Sequence, residues 1–474
     1  MAEDIVGQLD PIFRPRAIAV VGASNQPRKW GYWMVDRPLK AGFRGTIYPV
    51  NPKEKQVLGL PCYPSIRDVP DPVDMMVVAV PAPLVPQVMR DAIQRGIKGA
   101  VVVTAGFAET GEKGRALQDE VVRIARQGGI RFVGPNGNAI FSSAVNLCLS
   151  FDQAPRAGFI GFISQSGTFG SYLAQIAMSK GYGLSKFISI GNQAEIDAAD
   201  YLAYLAEDAD TKAIVLYMEG FKQGHRFFKI AREVIKRKPI LIYKAGRTAA
   251  AARAALSHTA ALAGSDQVFE GMCRQLGMLR AEEALHTFDM AEALVGQPLP
   301  PGNRVAIIGS GGQSVVTSEA CALLGMEIPR FDDEAVAMIR QYMAPHAPEP
   351  RNPVDFAGAP PNAVTRSKVL EIIAGLDCVD GIITNLPEFH LGWGPPVEEA
   401  RTAIDGAELF SSIPRRYGKP IVTLNWHGAV GESRLMMNIM RSAGIPCYFT
   451  PEECARAMHA LVSYGELRRG FAGL

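Results

Sequence analysis

Residues 17–31 read AIAVVGASNQPRKWG, a short apolar run that passes into a glycine-bearing loop. The run AIAVV consists of small and β-branched residues, which favour a buried strand. Gly22 and the polar residues after it end that strand, and the apolar stretch from Trp30 onwards suits a helix. A strand, a glycine turn and a helix in this order begin a βαβ unit. The stretch therefore predicts a parallel sheet that is covered by helices.

The same alternation of strands and helices continues along the rest of the chain. In the first third, the predicted strands are residues 17–22, 46–51, 75–81, 99–106 and 130–136. A second series follows, and a third begins after the proline- and glycine-rich linker VGQPLPPGN at 295–303. These patterns predict an α/β protein in three parts, with boundaries at 1–135, 136–296 and 303–474.

The composition is that of an ordinary globular protein. Of the 474 residues, 48% are hydrophobic and 20% are charged, which excludes wholesale disorder. The 49 basic and 47 acidic residues leave a net charge of +2, which gives no sign of a nucleic-acid-binding surface. The N-terminal residues MAEDIVGQLD do not resemble a signal peptide, and no apolar segment is long enough to span a membrane. We therefore expect a cytoplasmic protein without nucleic-acid or membrane partners.

The cysteines and histidines do not form a recognisable metal or disulfide pattern. The seven cysteines are scattered and include no C-x-x-C pair, which argues against both a disulfide framework and a zinc site. The histidines lack the spacing of metal ligands, so we expect no metal ion on this chain. The phosphate loop G-x-x-x-x-G-K-[ST] is also missing, so the chain shows no ATP-binding motif of its own.

Ligands of open parallel sheets bind where the strands end, so the loops after the predicted strands are candidate sites. The first loop, residues 22–31, lacks the G-x-G-x-x-G fingerprint of nicotinamide cofactors. After the second strand, Asn51 and Lys53 stand where such a cofactor would favour an acid for its ribose hydroxyls. A cation suits a ribose phosphate, which coenzyme A carries. We favour coenzyme A or a related phosphorylated nucleotide over the alternative, a turn with a solvated lysine.

Three other loops contain small residues, and hydroxyl groups are prominent in one of them. Residues 79–82 and 104–107 contain small residues that let a ligand lie close to the backbone, although turns of this kind are common. The loop Ser164-Gln165-Ser166-Gly167 joins a predicted strand to a predicted helix. One of its hydroxyl groups could be a simple N-cap. A helix start also attracts phosphate or carboxylate groups, so the loop is a candidate anion site.

His258 lies in SHTAALAGSD at 257–266, a segment of hydroxyl-bearing and small residues. By itself this pattern fits an exposed loop histidine without a role. Glu219 changes that interpretation, because it stands at the end of a neighbouring predicted strand. A carboxylate that faces an imidazole fixes its tautomer and raises its basicity. The two residues together suit a nucleophilic histidine.

Eight motifs along the chain are those of a known family. They are VVGAS (20–24), YPVNPK (48–53), GPN (134–136), GFISQSG (161–167), YMEG (217–220), KAGRT (244–248), SHTAALAGSD (257–266) and NPVD (352–355). Over nearly its whole length the sequence resembles the α subunits of NDP-forming acyl-CoA synthetases, the relatives of ADP-forming acetyl-CoA synthetase and succinyl-CoA synthetase. The resemblance implies a CoA-binding Rossmann-like domain at 1–135. Two flavodoxin-like, succinyl-CoA synthetase-like domains would follow at 136–296 and 303–474.

The resemblance also implies roles for individual residues. His258 would carry a phosphoryl group during turnover, and Glu219 would steady the phosphohistidine. The phosphate-binding residues would be Ser164, Gln165, Ser166 and Gly167. The coenzyme A site would consist of Gly22, Ser24, Lys29, Trp30, Lys53, Val80, Pro81, Thr104, Ala105, Gly106, Phe107 and Asn136.

The activity that the resemblance implies is that of an ADP-forming acid–thiol ligase. It would interconvert a small carboxylic acid, coenzyme A and ATP with acyl-CoA, ADP and phosphate, through acyl phosphate and phosphohistidine intermediates. ATP, ADP and Mg²⁺ would bind to an ATP-grasp β subunit in a hetero-oligomer, because the chain ends at Leu474 without such a module.

The sequence departs from the family pattern near the expected thioester. The family motif GPNCxG is here Gly134-Pro135-Asn136-Gly137-Asn138-Ala139, and Ala260 replaces a frequent glycine after SHT. Two alternative functions are a non-catalytic CoA-binding or regulatory protein with the same fold and a nicotinamide-dependent oxidoreductase. The intact His258 and Glu219 argue against the first, and Asn51 and Lys53 argue against the second.

Overall fold

The computed structural model describes residues 4–248, 250–251, 265–357, 363–386, 408–425 and 431–472. The chain divides into two compact units, Met1–Leu285 and His286–Leu474. The described part of the first unit contains two large β-sheets and a two-stranded one, and that of the second contains one sheet, so the predicted α/β class is confirmed. The boundaries predicted within the first unit stay a prediction. In the described part of the chain, no helix is both long and apolar enough to cross a membrane.

The first sheet is wholly parallel and follows the strand order β2-β1-β5-β6-β7. The strands from the N-terminus are β1 (Ala17–Val21), β2 (Thr46–Val50), β3 (Gln56–Val57), β4 (Leu60–Pro61), β5 (Met75–Val78), β6 (Gly99–Val102) and β7 (Arg131–Val133), of which β3 and β4 form a separate hairpin. The helices are α1 (Ile5–Phe13), α2 (Trp30–Ala41), α3 (Val85–Gln94) and α4 (Glu112–Gly128). The strand order reverses between β1 and β5, and such a switch point is where open parallel sheets bind ligands.

Two glycines bring the first loop close to its neighbours. Gly22 has a φ of +92°, and a Cβ there would lie 2.8 Å from the carbonyl oxygen of Ala79. A Cβ on Gly31 would lie 1.9 Å from the carbonyl oxygen of Gly22. Only glycine fits at these two positions, because the turn after β1 lies against the backbone that follows β5 on one side and against helix α2 on the other.

The second sheet has seven strands in the order β14-β13-β12-β10-β11-β8-β9. The strands are β8 (Ile140–Ser142), β9 (Leu147–Cys148), β10 (Ala157–Ser164), β11 (Leu184–Ser189), β12 (Ala213–Met218), β13 (Ile240–Lys244) and β14 (Leu279–Arg280). The helices are α5 (Gly167–Ser179), α6 (Ala198–Glu207), α7 (Gly224–Val234) and α8 (Asp266–Leu276). β8 pairs antiparallel with both β11 and β9, so this edge differs from the predicted parallel pattern.

Helix α1 contacts strand β6 of the first sheet and helix α6, and the carbonyl oxygen of its last residue, Phe13, accepts a hydrogen bond from Ser142 of strand β8 in the second sheet. At its end, Arg14 Nη2 lies 2.9 Å from Asp208 Oδ1. Lys186 Nζ lies 2.9 Å from the other oxygen of the same carboxylate, and both side chains are almost fully buried. Burial raises the pKa of Asp208, but the charge of Lys186 and hydrogen bonds from its neighbours outweigh burial and hold that pKa below its ordinary value. Asp208 therefore stays ionised where α1 meets the second sheet.

The second unit contains a parallel sheet in the order β16-β15-β17-β18-β19. The strands are β15 (Val305–Gly309), β16 (Val354–Asp355), β17 (Gly381–Asn385), β18 (Ile421–Leu424) and β19 (Cys447–Tyr448). The helices are α9 (His286–Gly296), α10 (Gly312–Leu323), α11 (Asp333–Arg340), α12 (Ala363–Gly375), α13 (Gly431–Ser442) and α14 (Pro451–Ala472), and residues 408–417 are also helical. Strands β15, β17 and β18 of this sheet are mostly apolar and wholly buried, as expected for a parallel sheet between helices.

Candidate functional site

A cavity of about 890 Å³ lies within the first unit, at loops that follow strands of both sheets. Nine of the predicted site residues line it: Trp30, Val80, Pro81, Thr104, Ala105, Asn136, Gln165, Ser166 and Gly167. The predicted coenzyme A loops and the predicted phosphate loop therefore face one space. Ala79 of the candidate loop 79–82 and Gly137 and Asn138 of the GPNCxG-like segment also line it. Sequence reasoning did not select the other lining residues, which are Val103, Thr168, Ser171, Tyr172, Gln175, Gly191 and Asn192.

The loops after β1 and β2 are held together by Asn51. Its Nδ2 donates to the carbonyl oxygen of Ala23 at 2.7 Å, and its Oδ1 accepts from the backbone N–H of Lys53 at 2.9 Å. The predicted residues Gly22 and Ser24 belong to this loop structure and do not line the cavity. The side chains of Lys29 and Lys53 are exposed outside the cavity lining.

The turn after β6 is closed by an acid that the sequence analysis did not select. The carboxylate of Glu109 accepts hydrogen bonds from the backbone N–H groups of Gly106 at 2.6 Å and Phe107 at 3.0 Å. The Phe107 side chain is buried in the core of the first sheet. Thr104 and Ala105 line the cavity, whereas Gly106 and Phe107 shape the turn behind it.

Glu109 also connects this turn to the second sheet. Its Oε2 accepts from Nδ2 of Asn192, a cavity residue that follows β11, at 2.5 Å. Oδ1 of Asn192 in turn accepts from Nδ2 of Asn136 at 3.3 Å. Burial raises the pKa of Glu109, but hydrogen bonds from Asn192 and the turn amides outweigh burial and lower that pKa below its ordinary value. The ionised carboxylate thus joins the two sheets beside the cavity.

The loop between β10 and α5 is arranged differently. Ser166 is the N-cap of α5, and its Oγ accepts from the backbone N–H of Phe169 at 3.3 Å. Ser164 is completely buried, and its hydroxyl donates to the carbonyl oxygen of Ser166 at 2.7 Å. Ser166 therefore has the simple capping role that the sequence left open, while it also lines the cavity with Gly167. No acidic side chain caps this helix start, so it keeps the partial positive charge that attracts anions.

Glu219 lies directly after β12 and is 5% exposed. The backbone N–H groups of Glu219 and Gly220 both donate to Oε1 of Gln165, at 2.9 and 3.1 Å. Glu219 is thus held next to the predicted phosphate loop, although it does not itself line the cavity. His258 lies outside the described residues, so its predicted pairing with Glu219 stays a prediction.

Two of the departures from the family motif, Gly137 and Asn138, line the cavity. A Cβ on Gly137 would come within 2.6 Å of the carbonyl oxygen of Ser189, so the backbone here is packed for glycine rather than cysteine. The N–H of Asn138 donates to Oγ of Ser189 at 2.7 Å, and its side chain bonds to Ser171. Ala139 adopts a φ of +58°, a region that glycine would occupy at lower energy.

The donors around the cavity are neutral amide and hydroxyl groups. Among the described residues, no Lys, Arg, Asp or Glu lines it. In the same part of the chain, no three His, Cys, Asp or Glu side chains are grouped to hold a metal ion. A polar site of this kind binds a ligand through oriented hydrogen bonds and a helix terminus.

Two protein families match separate parts of the chain. A CoA binding domain family matches residues 16–142, and a succinyl-CoA ligase-like flavodoxin domain family matches residues 157–294. These matches confirm the resemblance that the motifs indicated.

Alignments with three related proteins cover almost the whole chain. The α subunit of an ADP-forming acetate–CoA ligase II of Pyrococcus furiosus is 38% identical over 96% of this chain and 97% of the relative. The α subunit of the type I enzyme of that organism is 36% identical over 97% and 98% of the two chains. An ADP-forming acetate–CoA ligase I of Archaeoglobus fulgidus is 34% identical over 97% of this chain, which spans only 64% of that longer relative.

A solved structure is also similar to this chain over almost its whole length. The dinucleotide forming acetyl-coenzyme A synthetase 1 of Ca. Korarchaeum cryptofilum, in complex with phosphate and ADP, is 33% identical with a TM-score of 0.86. The similarity covers 98% of both chains.

Proposed function

Because this chain belongs to the family of ADP-forming acetate–CoA ligase α subunits, we propose that it exchanges acyl groups between coenzyme A and phosphate in such a ligase. The complete reaction converts a carboxylic acid, coenzyme A and ATP into acyl-CoA, ADP and phosphate, and the reverse. One observation supports the proposal above the others. The loops predicted to bind coenzyme A and the α5 helix start line one cavity. A thioester and a phosphate group could meet there.

In the direction of thioester cleavage, a phosphate oxygen attacks the acyl carbon. The new C–O bond forms, the C–S bond breaks, and the coenzyme A thiolate leaves and takes up a proton. The acyl phosphate then transfers its phosphoryl group to an imidazole nitrogen of His258, with release of the carboxylate. A phosphoryl group in transfer carries negative charge on its oxygens, which suits the helix start at Ser166 and Gly167. The covalent intermediate divides one difficult transfer into two easier steps.

The cavity residues have separate parts in this proposal. Trp30, Thr104 and Asn136 would contact the pantetheine and nucleotide of coenzyme A. The exposed cations Lys29 and Lys53 would meet its phosphates outside the cavity. Gly106 and Phe107 would act only by shaping the turn, because their amide groups already bond to Glu109.

The nucleotide half of the reaction is proposed to lie on another polypeptide. The chain spans 64% of the longer Archaeoglobus relative, whereas it spans 97% of the Pyrococcus α subunit. We propose that an ATP-grasp β subunit supplies the remaining part and binds ATP, ADP and Mg²⁺. His258 would then carry the phosphoryl group between the two subunits.

Phosphoryl transfer to His258 can be tested without nucleotide. The chain is incubated with acetyl-CoA and ³²P-labelled phosphate, and the protein should acquire a label that is acid-labile and base-stable, as a phosphoramidate is. His258→Ala should remove the label, whereas His346→Ala, at an exposed histidine of the second unit, should retain it. Labelling that persists in His258→Ala would show that another residue carries the phosphoryl group.

A further inference from the structure

Asn138 and Ser171 form a polar pair at the cavity. Asn138 lies in the loop after β7, Ser171 lies one turn into helix α5, and both line the cavity. Nδ2 of Asn138 donates a hydrogen bond to Oγ of Ser171. Asn138 belongs to the segment 134–139, in which the sequence departs from the family motif near the expected thioester. The proposed reaction so far uses neither side chain.

The backbone of Asn138 is fixed on both sides. Its N–H donates to Oγ of Ser189 at 2.7 Å, and its carbonyl oxygen accepts from the hydroxyl of Ser150 at 2.6 Å. A Cβ on Gly167 would lie 3.2 Å from Cβ of Asn138, so the start of α5 packs closely against this residue. Ser171 is 7% exposed within the same helix. The pair is thus held in position before a ligand binds, which lowers the cost of binding.

The pair keeps both a donor and an acceptor for a ligand. In the part of the chain that the structure describes, Asn138 is the one hydrogen-bond partner of the Ser171 hydroxyl. A hydroxyl that accepts a bond still has its O–H to donate, and Oδ1 of Asn138 is left as an acceptor. If the carboxamide oxygen and nitrogen are exchanged, the hydroxyl donates to Oδ1 and the amide nitrogen becomes the donor for the ligand. Both capacities are therefore present in either orientation.

The position of the pair relative to the helix start indicates the acyl chain. Helix α5 begins at Gly167, where the phosphate would lie, and Ser171 is four residues further on. At about 1.5 Å per residue, Ser171 lies about 6 Å along the helix. With carbon–carbon bonds of about 1.5 Å, the chain of an acyl phosphate reaches that far with about four carbon atoms.

The substituent that fits the pair is neutral. No charged side chain among the described residues lines the cavity, so a second carboxylate or an ammonium group on the acyl chain would have no counter-ion there. A hydroxyl group carries no charge, and it donates one hydrogen bond while it accepts another. It therefore matches the donor and the acceptor that the pair offers.

We propose that Asn138 and Ser171 bind a hydroxyl group on the acyl chain, so that the ligase prefers short hydroxy acids to unsubstituted acids of the same length. This assignment rests on the proposed function and names the substrate class of the same cavity. An unsubstituted chain displaces water from the pair without replacing its hydrogen bonds, which is unfavourable in a closed site. A hydroxy acid restores those bonds.

The test compares thioesters that differ only in one hydroxyl group. Butyryl-CoA, 3-hydroxybutyryl-CoA and 4-hydroxybutyryl-CoA are titrated into the full chain, and the dissociation constants are measured by calorimetry. At least one hydroxy thioester should bind about tenfold more tightly than butyryl-CoA, which is the scale of one well-placed hydrogen bond. Equal binding of the three thioesters would overturn the assignment.

Two substitutions remove the pair. Ser171→Ala and Asn138→Leu should each reduce the preference to less than about twofold, since each removes a hydrogen-bonding partner of the hydroxyl group. Ser179→Ala, at the exposed end of the same helix, is the matched control and should keep the preference. Thermal unfolding checks that the variants fold, and Ser171→Ala decides alone if Asn138→Leu does not. A preference that survives in Ser171→Ala would overturn the assignment, as would an equal loss of affinity for free coenzyme A.

Turnover distinguishes this assignment from the proposed function. Each thioester is given to the wild type with phosphate, and the acyl phosphate is measured as its hydroxamate. A chain that binds a hydroxy thioester more tightly but forms no acyl phosphate from any of them would contradict the proposed function, while the affinities would still support the pair. A chain that forms acyl phosphate but neither binds nor converts the hydroxy thioesters better than butyryl-CoA would overturn the assignment alone.

Discussion

Two loops at the same cavity differ in whether an acidic side chain accepts hydrogen bonds from their backbone N–H groups. In residues 104–107, the amides of Gly106 and Phe107 bond to the carboxylate of Glu109 within the same turn. In residues 164–167, the helix start has a neutral N-cap, Ser166, and no acid in its first turn. When a carboxylate of the same turn accepts these hydrogen bonds, the N–H groups are not available to an external anion. The position of one acid therefore decides which of the two turns keeps a helix start without a carboxylate of its own.

The largest expected effect comes from giving the second loop an acid of its own. Thr168 lies in the first turn of α5 and lines the cavity. In Thr168→Glu the new carboxylate should occupy the anion site, and acetyl phosphate formation should fall by about 100-fold, or roughly 2.7 kcal/mol. Helix stability should not fall, since an acid at a helix N-terminus adds about 0.3–1 kcal/mol. Thr168→Gln should keep most activity, and full activity in Thr168→Glu would contradict the comparison.

The second-largest effect is expected from removing the acid that bonds to the loop at residues 104–107. Glu109→Ala removes the acceptor of hydrogen bonds from Gly106, Phe107 and Asn192. We expect the free energy of unfolding to fall by about 2 kcal/mol, because hydrogen bonds to a charged group contribute about 1.5–3 kcal/mol. Urea denaturation measures this change. Glu319→Ala, at an exposed acid in the interior of helix α10, is the control and should stay within about 0.5 kcal/mol of the wild type.

The smallest effect is a dependence on pH. The pKa of Glu109 is lower in the folded protein than its ordinary value, so ionised Glu109 stabilises the fold above the unfolded pKa of about 4.3. That contribution should disappear as the pH falls through the folded pKa. The difference in unfolding free energy between wild type and Glu109→Gln should therefore be constant from pH 7 to pH 6 and shrink below about pH 4. A difference that stays constant to pH 3 would mean that Glu109 is not held ionised by the turn.

Much of the site could be predicted from the sequence, because the carboxyl ends of parallel strands lie at one edge of a sheet. Trp30, Val80 and Thr104 were predicted from loops that follow strands, and all three line the cavity. Asn138 was noticed only as a departure from the family motif and Ser171 belongs to no motif, because the two meet only when the loop after β7 packs against helix α5. The antiparallel strand β8 also escaped, since three residues carry too little periodicity to be recognised.

Ser164 and Glu109 show where local reasoning fails. Ser164 has the sequence features of a ligand residue, yet its hydroxyl is buried and donates to Ser166. Glu109 looks like a solvated acid at the start of a helix, yet it accepts bonds from its own turn and from Asn192 in the second sheet. An acid two residues after a glycine turn was the available signal for the first of these contacts. The contact with Asn192 depends on a residue 83 positions away.

The amino-acid sequence alone determined the α/β architecture, the positions of most strands and the family. Apolar runs and glycine turns act over a few residues, and a buried parallel strand needs nothing more specific than such a run. The tertiary structure alone decided which amides and carboxamides remain available in the cavity. A hydrogen-bond donor has a limited number of partners, and whether a partner reaches it depends on how distant loops pack. Gln165 shows this directly, because its orientation is set by Glu219 and Gly220 on another strand end.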